Sequence, residues 1–222
     1  MPKNTPLPID IVSDVVCPWC YVGKRFLENA IALKPEIPVE LRFRPYFLNP
    51  WVPREGMSRE DYLIKKFGSV ERYNANNQRV ADAAARAGLV YNRDKVKRQP
   101  NTMDCHRLIR WAGETGAAVR MKQRLMELYF AEGGDLSDSE VLVGAAVDCE
   151  MEAGDVRARL ASDRDAAEIA AEAEEAKQAG IDGVPCFIIG GLIAVSGAQP
   201  PEYLVQAIER AATERASRVA AK

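Results

Sequence analysis

Residues 9–15 read as an apolar strand through Ile9, Ile11, Val12 and Val15, and from Tyr21 to Leu33 the apolar positions recur at helical spacing. Pro35 and Pro38 close that helix, and residues 39–47 read as a second strand, giving a right-handed β-α-β start. Residues 49–56 turn loop-like, with Pro50, Trp51, Pro53 and Gly56, and beyond them the spacing is helical as far as Gly180. Helix starts are signposted at Ser58, Ser69, Thr102 and Ser137, the last with Glu140 three residues on as a capping box. Helix stops fall at Gly88, Gly116, Gly133-Gly134 and Gly180. Strand character returns at 186–189, a Gly190-Gly191 turn of hairpin type follows, and 192–195 complete the pair. Pro200-Pro201 open a final helix with an apolar stripe of Leu204, Ile208, Ala211 and Ala212. The layout is β-α-β, a long helical block, then β-β-α, with no internal repeat.

A hydrophobic content of 47% over 222 residues supplies an ample core, so the chain is globular. Its net charge of -2, with both signs interspersed, carries no electrostatic footprint for nucleic acid. The basic residues of 93–98 read as a solvated polar loop. No stretch approaches a membrane span, and Met1-Pro2-Lys3-Asn4-Thr5-Pro6 leads into the first strand without an apolar leader, so a cytoplasmic protein is expected. Five cysteines in a reducing compartment imply one working pair and three buried or accessory thiols rather than a disulfide framework.

The working pair is Cys17-Pro18-Trp19-Cys20, two thiols three apart at a strand-to-helix corner. A cysteine at a helix N-terminus faces unsatisfied amides and the positive end of the helix dipole, which favours its thiolate. Cys17 is therefore the expected nucleophile, and Cys20, one turn along, the thiol that resolves a mixed disulfide. Pro18 suits the first helical turn, and Trp19 offers an apolar face beside the sulfur. Neither carries charge, so Cys17 is expected to be less acidified than a cysteine with an imidazolium in the intervening pair. The competing use of such a pair is half of a zinc site, but Cys105, His106, Cys149 and Cys186 form no second short pair, and no metal is expected.

Late in the chain, Gly183-Val184-Pro185 precedes another apolar strand. With the dithiol in front, this arrangement resembles the DsbA family of thiol-disulfide oxidoreductases. Ser13-Asp14-Val15-Val16-Cys17-Pro18-Trp19-Cys20-Tyr21-Val22-Gly23-Lys24 and Val195-Ser196-Gly197-Ala198-Gln199-Pro200-Pro201 look like its FrnE-like subgroup. The resemblance implies an α/β thioredoxin fold (residues 1–58 and 171–222) interrupted by an inserted all-helical domain (59–170), with a substrate groove between them. It also implies a cis bond before Pro185, where the Val184 backbone can pair with an extended substrate. Related 2-hydroxychromene-2-carboxylate isomerases and kappa-class glutathione transferases bind glutathione and typically carry serine at the position of Cys17. That departure favours redox work. Asn101-Thr102-x-x-Cys105-His106-Arg107-Leu108 resembles their cleft-lining segment, so glutathione stays open as a co-substrate, with no other cofactor implied.

Several residues carry two readings. Asp14 is either a proton relay for exchange or, more simply, a hydrogen-bonded loop carboxylate. His106, the lone histidine, either donates to substrate or packs in its helix. Asn101 and Thr102 divide between substrate contact and capping, with capping sufficient for Thr102. Ser196 and Gln199 precede the last helix, whose amides suit a carboxylate of glutathione or a peptide. Cys186 reads first as a buried small hydrophobe, and Tyr46, Phe47, Trp51 and Trp111 as core before groove. The expected partners are disulfide- or thiol-bearing proteins and peptides, glutathione, and a second copy through apolar faces of the inserted helices.

Overall fold

The computed structural model describes residues 5–220. β1 (Leu7–Ser13) runs through the middle of the sheet, and its two-residue period sends Leu7, Ile9 and Ile11 to one core and Val12 to another. After it, α1 (Pro18–Ala32) leads to β2 (Val39–Pro45), which pairs parallel with β1, Leu7 opposite Val39 through Ser13 opposite Pro45. β2 is an outer strand, and its alternation exposes Glu40, Arg42 and Arg44; Arg42 grips Glu40 with two hydrogen bonds of 3.0 and 2.7 Å, and Arg44 reaches Asp10 at 2.9 Å.

The chain then enters the helical block. β3 (Met57–Ser58), α2 (Arg59–Phe67) and α3 (Val70–Arg86) precede β4 (Arg98–Gln99), α4 (Met103–Gly113) and α5 (Ala118–Glu127). A π-helical turn, Leu128–Glu132, extends α5, and α6 (Ser139–Asp148), α7 (Ala153–Leu160) and α8 (Ala166–Gln178) complete the block. It is not all-helical as expected: Met57 and Ser58 pair antiparallel with Gln99 and Arg98, so part of the anticipated basic loop is strand. The boundary expected at residue 170 falls inside α8. β5 (Cys186–Ile189) and β6 (Ile193–Ser196) return to the sheet, in the order β2-β1-β5-β6, and α9 (Pro201–Ala220) closes the chain.

Local chemistry explains most helix ends. Ser58 and Ser69 cap α2 and α3 through hydrogen bonds from the amides of Asp61 and Arg72, at 3.1 and 3.2 Å. Two caps differ from expectation. Thr102 makes no capping bond; the Asn101 side chain accepts from the Met103 amide at 3.0 Å instead. The Ser137–Glu140 box does not form, because Asp138 accepts from the Glu140 amide at 2.8 Å while Asp135 holds the Ser137 hydroxyl.

Two large cores result. Ile9, Ile11, Leu27, Phe187, Ile189, Leu204 and Ile208 pack α1 and α9 against the sheet. The helical block has its own core around Leu108, Trp111, Met121, Leu125, Phe130 and Leu142, and this second core takes in Cys17 and Cys20. Arg107 ties the block together from inside. Fully buried, it donates to the carbonyls of Arg159, Ser162 and Arg164 at 2.7, 2.7 and 2.8 Å and to Asp104 at 2.6 Å, with its guanidinium over the Trp111 ring. Replacing it takes the guanidinium donor from the Ser162 and Arg164 carbonyls, while that of Arg159 keeps the Ser162 amide and hydroxyl. Chemical denaturation of Arg107→Met should register a loss of about 3 kcal/mol or more. Arg110→Ala, which removes a half-exposed pair with Glu172, should cost no more than about 1 kcal/mol.

Candidate active site

The corner between β1 and α1 is a turn closed by the Cys17 amide on the Asp14 carbonyl, and it makes Cys17 the N-cap of α1 with Pro18 in the first turn. The Cys20 and Tyr21 amides both return to the Cys17 carbonyl, at 3.0 and 3.2 Å, which fixes Cys20 one turn above. Both thiols are buried, whereas Trp19 between them is 37% exposed. All five cysteines are unlinked. Among the described residues, no group of three or more His, Cys, Asp or Glu side chains is arranged to hold a metal.

The two sulfurs are made unequal. A hydrogen bond from the Cys20 thiol is the largest influence on Cys17, and with the Cys20 and Trp19 amides it outweighs burial and the Asp14 charge, holding Cys17 below the ordinary thiol value. Burial is the main influence on Cys20, and with the hydrogen bond it gives to Cys17 it pushes that thiol well above the ordinary value. The pair is therefore a nucleophile with a protonated neighbour.

The late segment meets this corner directly. The Val184–Pro185 peptide bond is cis, and the Val184 carbonyl lies 3.6 Å from the Cys17 sulfur. α1 can approach Pro185 because residue 23 is glycine: a Cβ there would sit 2.9 Å from Pro185 Cγ and 3.3 Å from Ala198 Cβ and Phe187 Cζ. The Gly197 amide donates to the Pro185 carbonyl at 2.8 Å, which brings the 196–199 turn alongside. In that turn Ser196 is exposed, and Gln199 donates its side-chain amide to the Ser196 carbonyl at 2.9 Å.

Asp14 and His106 meet beneath the thiols. Asp14 is fully buried; its Oδ2 accepts from the Leu48 amide at 2.9 Å, and its Oδ1 lies 3.5 Å from His106 Nε2 without a hydrogen-bond partner among the described residues. Burial opposes a charge on Asp14, yet His106, the Leu48 amide and Lys122 together hold the carboxyl below its ordinary value. Burial also dominates His106 and lowers its pKa despite the carboxylate, so the ring is neutral at pH 7. The His106 nitrogen expected to meet substrate reaches the Tyr46 carbonyl at 3.2 Å, and the ring packs edge-on against Phe47. Asn101 is equally committed, donating to the Val52 carbonyl at 2.8 Å besides capping α4. Thr102 is buried beside it, and Trp111 lies in the core.

Two residues of this neighbourhood escaped sequence reasoning. Lys122 on α5 is 1% exposed, and its ammonium lies 5.8 Å from the centre of the Phe43 ring. Lys66 on α2 donates to Asn49 Oδ1 at 2.6 Å, a buried side chain that Tyr62 also reaches at 3.2 Å, and the ammonium feels the charges of Cys17 and Asp14. For Lys122 a signal existed. It lies one residue after Met121 and three and four before Leu125 and Met126, on the apolar stripe of its helix.

Residues 8–209 match the profile of the DSBA-like thioredoxin domain. A probable DsbA oxidoreductase from Streptomyces coelicolor superposes with a TM-score of 0.85 at 36% identity, covering 94% of this chain and 91% of that one. A 2-hydroxychromene-2-carboxylate isomerase gives 0.70 at 14% identity over 95% and 98% of the two chains. The cytosolic disulfide reductase DsbM from Pseudomonas aeruginosa, solved with GSH, gives 0.61 at 15% identity over 96% and 99%. At those identities the last two are likenesses of fold.

Two measurements test the geometry. Gly23→Ala forces α1 away from Pro185, and overpacking of this kind should cost about 1–3 kcal/mol in chemical denaturation. The second concerns acid. Below an ordinary value of 6.5 the imidazole of the unfolded chain binds a proton that buried His106 takes up only at lower pH, so stability should fall as pH drops below 6.5. Asp14, ionised more readily in the folded chain, adds a further loss below 3.8. In His106→Gln the first decline should vanish, and the second should shrink, because His106 is the foremost group holding Asp14 down against burial.

Proposed function

Because the chain belongs to the DSBA-like thioredoxin-domain family, we propose that it is a thiol-disulfide oxidoreductase working through Cys17 and Cys20 on disulfides of proteins or small molecules. The observation that carries this reading is geometric: two adjacent buried thiols open α1, with Cys17 as its N-cap 3.6 Å from the Val184 carbonyl before cis Pro185 and Cys20 one turn deeper. In the reducing direction the Cys17 thiolate attacks one substrate sulfur, the substrate disulfide breaks, and the departing thiolate takes a proton. Cys20 then loses its proton and attacks the Cys17 sulfur. The mixed disulfide breaks, the second substrate thiol leaves, and a Cys17–Cys20 disulfide remains, two electrons having passed to the substrate. Run backwards, the same steps hand a disulfide to a dithiol.

Asp14 supports the proton transfer. It is ionised and buried beside both thiols, and an unsatisfied Oδ1 suits a water that carries the Cys20 proton to it. The Val184 carbonyl, at 3.6 Å from Cys17, supplies a backbone acceptor against which an extended substrate segment lies. Trp19, a third exposed, lies beside the approach. Lys66, held by Asn49 within electrostatic reach of Cys17, suits a substrate carboxylate, including those of glutathione. Three further buried, unlinked cysteines fit a cytoplasmic setting in which thiols stay reduced.

An isomerase that used Cys17 only to orient the sulfur of glutathione would have no work for Cys20. Cys20→Ser therefore separates the two activities. Mixed disulfides at Cys17 should accumulate, visible as covalent adducts by mass spectrometry, and disulfide exchange should fall at least about 100-fold, as when one member of a pair acting as a unit is lost. Turnover unchanged by Cys20→Ser would overturn the redox reading.

A further inference from the structure

The thiols lie in the core of the helical block, and such a core penalises an ionised sulfur. Cys17 has a remedy at the helix N-terminus, where amides of the first turn face it. Cys20 sits one turn deeper, is 1% exposed, and must still ionise to resolve the mixed disulfide. Lys122 faces the same core from the inserted block. Its helical neighbours Met121, Leu125 and Met126 belong to the cluster that contains both thiols, and the Phe43 ring under its ammonium packs on that cluster. An ammonium in such a place is strongly disfavoured unless anions offset it.

Resting on the oxidoreductase reading, we propose that Lys122 is a positioning residue for the resolving thiol: the inserted block supplies the buried cation that holds Cys20 as thiolate while it attacks the mixed disulfide. In that step Cys20 gives its proton to Asp14 through water, and its electron pair forms the bond to Cys17. The electrons of the Cys17–substrate bond leave with the substrate sulfur. Lys122 keeps its proton throughout.

The other groups around Cys20 do not replace it. Asp14, from the turn after β1, is an anion and opposes ionisation of the neighbouring thiol. Cys105 and His106, from α4, are kept uncharged by burial. Lys66, from α2, acts on Cys17 and Asp14, and Lys24, from α1, is paired with Glu28 and Gln123. Burial lowers the proton affinity of Lys122 itself, and the anions that oppose that fall are first the Cys20 thiolate and then Asp14, with Cys17 adding less. Lys122 is the cation whose charge favours the Cys20 thiolate.

The test is a titration of Cys20 in a Cys17→Ser background, where coupling between the two thiols is gone. Followed by thiolate ultraviolet absorbance, the Cys20 midpoint should rise by roughly one unit or more in Lys122→Met, a tenfold loss of thiolate at a fixed pH below it. In the parent background the same substitution should slow decay of a preformed Cys17 mixed disulfide by roughly tenfold, and shift its pH profile the same way. Lys122→Arg, which keeps the charge, should restore both. Methionine keeps the length of the lysine chain but leaves buried Asp14 without that cation, so some loss of stability is expected and folding of each variant is checked first; Lys122→Gln provides a second neutral side chain. An unmoved Cys20 midpoint in either folded variant overturns the proposal, whatever the activity of the protein. A parent protein that exchanges no disulfides, with the midpoint moved as expected, overturns the oxidoreductase reading and upholds the link between Lys122 and Cys20.

Discussion

Taking two thiols out of water is the constraint to which the rest of the molecule answers. Burial alone would leave both sulfurs protonated and inert. The start of α1 relieves this for one of them, because Cys17 is the residue on which the first turn's amides converge. Its neighbour receives no such relief, and the difference between them is a difference of one helical turn. Asp14 adds a charge that neither sulfur welcomes, so it too must be held: by the Leu48 amide on one oxygen and by His106 near the other.

Those holding groups come from beyond the sheet. The stretch that leaves β2 presents its carbonyl at Tyr46 to His106, its amide at Leu48 to Asp14 and its carbonyl at Val52 to Asn101. It is a seam, and it is sewn to α4, a helix of the inserted block. A shortened protein joining residue 58 to residue 171 would keep the strand, the turn and both cysteines, yet open that corner to solvent. The insertion belongs to the thiol corner as much as does the fold it interrupts.

The sequence made legible whatever is decided within a few residues. The strand-to-helix corner, the proline in the first turn and the glycine at residue 133, which adopts φ 78 and whose Cβ would fall 2.5 Å from the Lys95 carbonyl oxygen, are local facts. Where two neighbours could do the same job, the reading failed. Asn101 caps α4 in place of Thr102, and Asp138 caps α6 in place of Ser137, because a second short polar side chain stood adjacent and geometry chose between them. Lys66 was invisible for a different reason, and the stripe position of Lys122 signalled burial without saying beside what. A lysine on a polar-looking helix reads as solvated, and only the packing of distant elements puts it beside a thiol.

The outer strand β2 carries a consequence of its own. Its exposed positions are Glu40, Arg42 and Arg44, already engaged with one another and with Asp10. Another chain seeking to extend the sheet at that margin would have to strip water from three charged side chains and break bonds they have made. The margin is thereby guarded against runaway self-association while the protein is still folding, when its unpaired backbone is most open to a stray neighbour.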